Sequence, residues 1–471
     1  MADPERQPSS NERQEVLLSN SQGASPKGGA VQRETDQPAP VAAGSSNRIS
    51  RRALERFPCI DGLRALAAVS VVFCHTATVS SIISTSAGPY LVELRGGVQI
   101  FFVISGFVLY RPFAHAHLEC RESPQIRAYL RRRFFRIYPA YWLVLTIAVY
   151  VLHVVYLFGQ RAVITNYALV QSYFHQSSYV DGLGPAWTLV VEVSFYLSLP
   201  VIASAIRRMA PRRPLPAEVA SMAVLFCIGI ICAAWSAFGN PPMFVQVLPA
   251  NLSPFALGML LAVLSIVFER RELPDWVGAL GSRPWASWLI ALIAWTAIVW
   301  AVHYPTVPTI FARVPGAKVM SYTLLLDVIG VSMVFPAVFG DQRQGLIRRV
   351  LQMRFVVFVG IVSYGIYLWH DPILSEMGKY ANRSTFISAE PIVNWLAITT
   401  PVLAASILIA MLSWFVVEKP LIAFSRRSTN VRNRGDTGKR DPRLAVETAS
   451  ESPIAISIPD SLDRMQPPGT A

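Results

Sequence analysis

The chain has 471 residues, 53% of them apolar and only 15% charged, with Lys and Arg outnumbering Asp and Glu by 42 to 29. A soluble domain carries about 25% charged residues, and the mean hydropathy here is +0.40, so an ordinary soluble enzyme is excluded. Residues 1–56 and 426–471 hold 29 of the 71 charged side chains, which leaves about 11% over 57–425. The apolar runs there are long and continuous rather than alternating, which excludes a transmembrane barrel. The expectation is an all-α, polytopic transmembrane helical bundle over 57–425. It lies between two polar, disordered tails, 1–56 and 426–471, the first rich in Ser, Gln, Pro and Gly and without the features of a signal peptide.

About ten spans follow in chain order: 59–80, 96–112, 138–158, 186–206, 217–237, 249–268, 285–303, 319–340, 355–375 and 392–417. The segment 163–175 reads as interfacial. With the N-terminus placed in the cytoplasm, the inner loops and the tails carry 35 of the 42 Lys and Arg residues. That asymmetry predicts cytoplasmic N- and C-termini. It also accounts for the surplus of positive charge as topology, with no nucleic-acid partner. The five cysteines have no zinc spacing and read as small core residues.

A charge in hydrocarbon costs several kcal/mol, so ionisable residues inside the spans are functional candidates by default. Arg64 and His75 are eleven residues apart in the first span, which puts them about 20° apart on one helix face and about 16 Å apart along it. Glu192 falls about 9 Å below the outer end of its span and His370 about 22 Å above the inner end of its own. These depths predict two histidines and a carboxylate at one level, a set suited to general acid–base work, with a buried structural ion pair as the plainer alternative. Ser363, Tyr367 and His370 recur at i, i+4, i+7, Tyr196 follows Glu192 by one turn, and Trp187 precedes it on the same span. Asp371 points about 100° away from His370. Asp327 is read as a structural bond to another helix. Ser105 lies in no G-x-S-x-G elbow, and the expected role is close helix approach rather than nucleophilic attack.

The first inner loop holds Arg111, Arg121, Arg127, Arg131, Arg132, Arg133 and Arg136. Arg133 and Arg136 stand one turn apart at a membrane entrance, and a guanidinium fork suits phosphate oxygens, whether of a soluble ligand or of lipid headgroups. No P-loop accompanies them. Outer-loop aromatics (Tyr90, Tyr173, Tyr179, Tyr304, Tyr380) suit sugar stacking or, more commonly, interfacial anchoring.

Six segments in order carry a resemblance. They are IDGLRALAAVSVVFCH with Arg64 and His75, GGVQIFFVISGFVL, RRFFRIYPAYW with Arg133 and Arg136, GPAWTLVVEVSFYLSLP with Glu192, SYGIYLWH with His370, and the closing WFVVEKP. Over nearly all of 57–425 the chain resembles the membrane-bound acyltransferase 3 family, polytopic O-acyltransferases of lipopolysaccharide, exopolysaccharide, Nod factors and some macrolides. The resemblance implies transfer of an acyl group, usually acetyl, from cytoplasmic acyl-coenzyme A to a hydroxyl on a glycan or glycolipid acceptor, in the bacterial inner membrane. It implies that Arg64 and His75 are essential and that Arg132, Arg133 and Arg136 serve the donor. Acyl-coenzyme A is then a co-substrate, with no bound cofactor and no metal. Val190-Val191-Glu192 departs from the frequent Ser-Val-Glu-Glu pattern and leaves one acid where many relatives have two. Only the tail follows the last span, so no fused hydrolase-like domain is expected. The competing reading is a proton-coupled transporter using Glu192, His75 and His370 as a relay; a binding scaffold without turnover is a third.

Overall fold

A computed structural model describes residues 57–174, 182–209, 211–236, 246–302, 315–381 and 390–425. The two tails, Tyr179, Tyr304 and the side chain of Tyr380 lie outside the described residues. Among the described residues every regular element is helical. In order these are α1 (Cys59–Thr78), the short α2 (Gly88–Val92), α3 (Gly97–Leu118), α4 (Ile126–Tyr150), α5 (Gly159–Tyr167), α6 (Ala186–Met209), α7 (Pro214–Trp235) and α8 (Leu252–Val267). There follow α9 (Asp275–Ser282), α10 (Pro284–Ala297), α11 (Gly316–Val338), α12 (Leu346–Leu351), α13 (Arg354–Ile361), α14 (Ser363–Ala381) and α15 (Pro391–Ser413). A π-helical turn, Trp414–Glu418, carries α15 onward, and helix continues to residue 425.

Among the described residues eight helices are long and apolar enough to cross a membrane, or nine if α13 and α14, bent by 67°, form one span. The expected count of ten included 138–158, which does not qualify. The helix there, α4, spends its first turns on Arg127, Arg131, Arg132, Arg133 and Arg136 and ends at Tyr150. Beyond it the chain folds back, with the Leu152 and Val154 N–H groups bonded to the Ile147 and Ala148 carbonyls. The segment expected at the interface is α5 and a 3₁₀ turn, Gln171–Phe174, held against α4. There Tyr141 and Trp142 donate to the carbonyls of Asn166 and Tyr167, both at 2.9 Å.

Between apolar helices in lipid there is little hydrophobic drive, so close approach of small residues and buried polar bonds must hold the bundle. The most extensive interface, α3 on α8, is built that way. A Cβ on Gly106 would strike the Phe255 carbonyl, and one on Gly258 would strike that of Val103. Asp327 of α11 bonds Gln99 of α3 at 3.3 Å, the structural role expected of it. At the arginine-rich end, Glu218 at the start of α7 accepts from Tyr110 at 2.5 Å and pairs with His117 at 2.6 Å. Arg111 pairs with Glu269 nearby, and Arg270 with Glu119. Arg207 of α6 donates to the Arg121 carbonyl at 2.9 Å, so the ends of α3, α6, α7 and α8 are tied together on this side.

Candidate active site

The α1 helix packs on α3, α13, α14 and α15, which brings the end of the first span against the middle of α14. His75 Nδ1 lies 2.7 Å from His370 Nε2. His370 is fully buried, and its Nδ1 lies 3.3 Å from the Ile366 carbonyl one turn back. A carbonyl oxygen can only accept, so His370 Nδ1 carries a hydrogen and its Nε2 a lone pair. His75 Nδ1 is then the donor, and His75 Nε2 keeps the lone pair. That nitrogen has no hydrogen-bond partner among the described residues. The bonding pattern thus assigns His75 the tautomer a general base needs, oriented through its other nitrogen.

Asp371, which ideal spacing aims away from His370, faces His75 electrostatically all the same. Its Oδ2 accepts from the Gly184 N–H at 3.3 Å. Tyr367 ties the same loop to α14: its hydroxyl lies 3.2 Å from the Pro185 carbonyl and 2.8 Å from Thr188 Oγ1. These contacts show that α6 begins at the level of Tyr367 and Asp371, beside His370. Glu192, six residues further on, lies about 9 Å deeper than the histidines.

The structure therefore does not bring Glu192 to the histidine pair. Its Oε1 accepts from Ser105 and its Oε2 from Tyr196, each at 3.1 Å, and its principal charged neighbour is Arg64. The hydroxyl hydrogens of Tyr196 and Tyr367 already have acceptors, Tyr196 in Glu192 and Tyr367 in the Pro185–Thr188 turn. Ser105 is bonded to an acid, Glu192 of α6, while the close helix approach of α3 is made by Gly106 beside it. A small cleft is lined by Arg64, Phe101, Thr188, Glu192, Tyr364 and Tyr367. Tyr367 also meets the His370 ring, with centroids 5.7 Å apart, so one lining residue of the cleft touches the histidine pair, which itself lies outside the lining.

Below the cleft, the Arg133 guanidinium lies over the Tyr196 ring at 5.8 Å, and its buried Nε has no partner among the described residues. Arg136 adds its charge to Arg64, Arg133 and Glu192, and Arg132 is a charged neighbour of Arg133. The arginines expected to act together are therefore together, and Arg64 and Glu192 are with them rather than with the histidines. Ser363 is fully buried at the α13–α14 break with an unpartnered Oγ, and Trp187 packs against the core around α3, α4 and α6. Neither meets the dyad.

The fold and this site define a multi-pass membrane protein with a hydrogen-bonded histidine pair close to a cleft lined by Arg64 and Glu192. Residues 57–413 match the family model described as an acyltransferase domain, so the chain belongs to the acyltransferase 3 family and is an acyltransferase. It is 26% identical over 411 residues to "Acyltransferase MdmB" of Streptomyces mycarofaciens, covering 81% of this chain and 95% of that protein. It is 25% identical over 394 residues to "Peptidoglycan O-acetyltransferase OatA" of Listeria monocytogenes, covering 79% of this chain and 57% of the relative. To "O-acetyltransferase OatA" of Staphylococcus aureus it is 22% identical, over 69% of this chain and 51% of that one. The chain thus spans little more than half the length of the OatA proteins. No solved structure matches it.

Proposed function

We propose that the chain is a bacterial inner-membrane O-acyltransferase, with both termini in the cytoplasm. It would move an acetyl group from cytoplasmic acetyl-coenzyme A to a hydroxyl of an extracytoplasmic glycan or glycan-bearing lipid. The single observation that carries the reading is the His75–His370 pair, in which His75 donates through Nδ1 and leaves Nε2 for a substrate proton, one tyrosine away from a cleft lined by Arg64 and Glu192. The printed names of the relatives support O-acetyl transfer.

In this account the donor's phosphates meet Arg133 and Arg136, assisted by Arg132, and the pantetheine arm runs up the cleft past Arg64 and Glu192. His75 Nε2 takes the proton of the acceptor hydroxyl as its oxygen attacks the thioester carbonyl. The carbon–sulfur bond then breaks, and the coenzyme A thiolate takes the proton from His75. His370 holds the imidazole by Nδ1 throughout, and Asp371 offsets the charge that His75 gains. Glu192 keeps Arg64 in the cleft wall instead of acting as the base.

The test has two parts. Labelled acetyl-coenzyme A is supplied to membranes containing the chain, and surface glycans and lipids from cells with and without it are compared by mass spectrometry. Label entering an acceptor, with a lost acetyl increment in cells lacking the chain, supports the reading. Proton-coupled solute uptake without labelling would support a transporter in its place.

A further inference from the structure

One buried acid, Glu418, is touched by none of the steps above. It sits in the π-helical turn Trp414–Glu418, only 2% exposed, and its Oε1 is sealed from solvent with no hydrogen-bond donor among the described residues. Leaving a carboxylate oxygen buried without a donor is costly, and π-turns inside α-helices recur at functional sites.

Its register places it opposite the arginines. Arg131 of α4 donates to the Ser425 carbonyl at 2.8 Å, and Phe135 packs on Phe424 with ring centroids 5.9 Å apart. The two helices run antiparallel there, so the seven residues from Ser425 back to Glu418 climb about 10 Å. That rise brings Glu418 level with residues 136–138. Tyr364, which lines the cleft, bonds the Ile137 carbonyl at 2.8 Å at this same level. The charged neighbours of Glu418 are Arg136 and Arg64.

Resting on the acyl-coenzyme A reading above, we propose that Glu418 is a positioning residue for the donor: with Glu192 opposite, it holds the Arg64 and Arg136 guanidiniums turned toward the cleft. Three arginines facing one another around Glu192 alone repel and splay apart. The second carboxylate fixes their directions, so an entering phosphate meets an arranged pair instead of reorganising it. The C-terminal end of α15 is then part of the donor entrance.

The experiment measures coenzyme A binding to the purified full chain, together with donor and acceptor KM and kcat, for wild type, Glu418→Gln and Glu418→Asp. The expected result is binding weakened, and donor KM raised, about tenfold in the Gln variant and about threefold in the Asp variant, with acceptor KM and kcat nearly unchanged. A wild-type donor KM in the Gln variant, or a lower kcat at unchanged donor KM, overturns the positioning role. If the Gln variant does not fold, the Asp variant decides: its donor KM either rises alone or the role is overturned. Wild-type protein that fails to bind coenzyme A removes the donor reading itself and this inference with it, an outcome distinct from a variant that binds as well as wild type.

Discussion

The two ends of the cleft solve the same problem, buried polar groups in a membrane, in opposite ways. At the outer end His75, His370 and the Ile366 carbonyl form one directed chain of hydrogen bonds. At the inner end Arg64, Arg133, Arg136, Glu192 and Glu418 form a group of ionisable side chains in which buried atoms of Arg133 and Glu418 have no partner among the described residues. A completed chain with one lone pair left over suits moving a proton. A charged group with unmet donors and acceptors suits holding a ligand that brings its own charges. On the function proposed above, chemistry and donor binding would be separated by about 16 Å of one helix, the rise from Arg64 to His75.

The comparison can be broken at either end. His75→Ala should cost the most, about 10³-fold or more in transfer at matched protein level in membranes, because it removes the only proton acceptor assigned. His370→Ala leaves a base but frees its tautomer and direction, and a loss of about 10²-fold in kcat with both KM values little changed is expected. At the inner end, Arg133→Gln and Arg136→Gln should instead raise donor KM about tenfold each while sparing kcat, read from initial rates against acetyl-coenzyme A concentration. The smallest effect belongs to Ser105→Ala, which removes one hydrogen bond to Glu192: about threefold in donor KM, with no change in acceptor KM. A kcat collapse in an arginine variant, or a donor KM effect in a histidine variant, would erase the division of labour.

The helical class and most spans were legible because a hydrocarbon core tolerates so few charges that the exceptions stand out. That signal found Arg64, His75, Glu192 and His370. It failed where a depth was counted from the wrong origin. Glu192 was placed level with the histidines on the premise that its helix starts at the membrane surface, whereas the Gly184–Pro185 loop reaches in to Asp371 and Tyr367 before α6 begins. Asp371 was turned away by ideal helical geometry, yet a charge near His75 needs no shared helix face. Glu418 escaped because it falls one residue past the span ending at 417; the helix runs on to 425 and buries it. The missing span, 138–158, shows the converse, since arginines in the first turns of α4 hide a helix of 25 residues from a hydropathy count.

The central claim is that the two histidines act as one unit, His370 through His75. The most direct measurement compares acetyl transfer by His75→Ala, His370→Ala and the double variant at equal membrane levels. Groups acting in one step give non-additive losses, so the double variant is predicted to be no slower than His75→Ala alone. Losses that multiply, with the double variant slower by the full His370→Ala factor, would contradict the account.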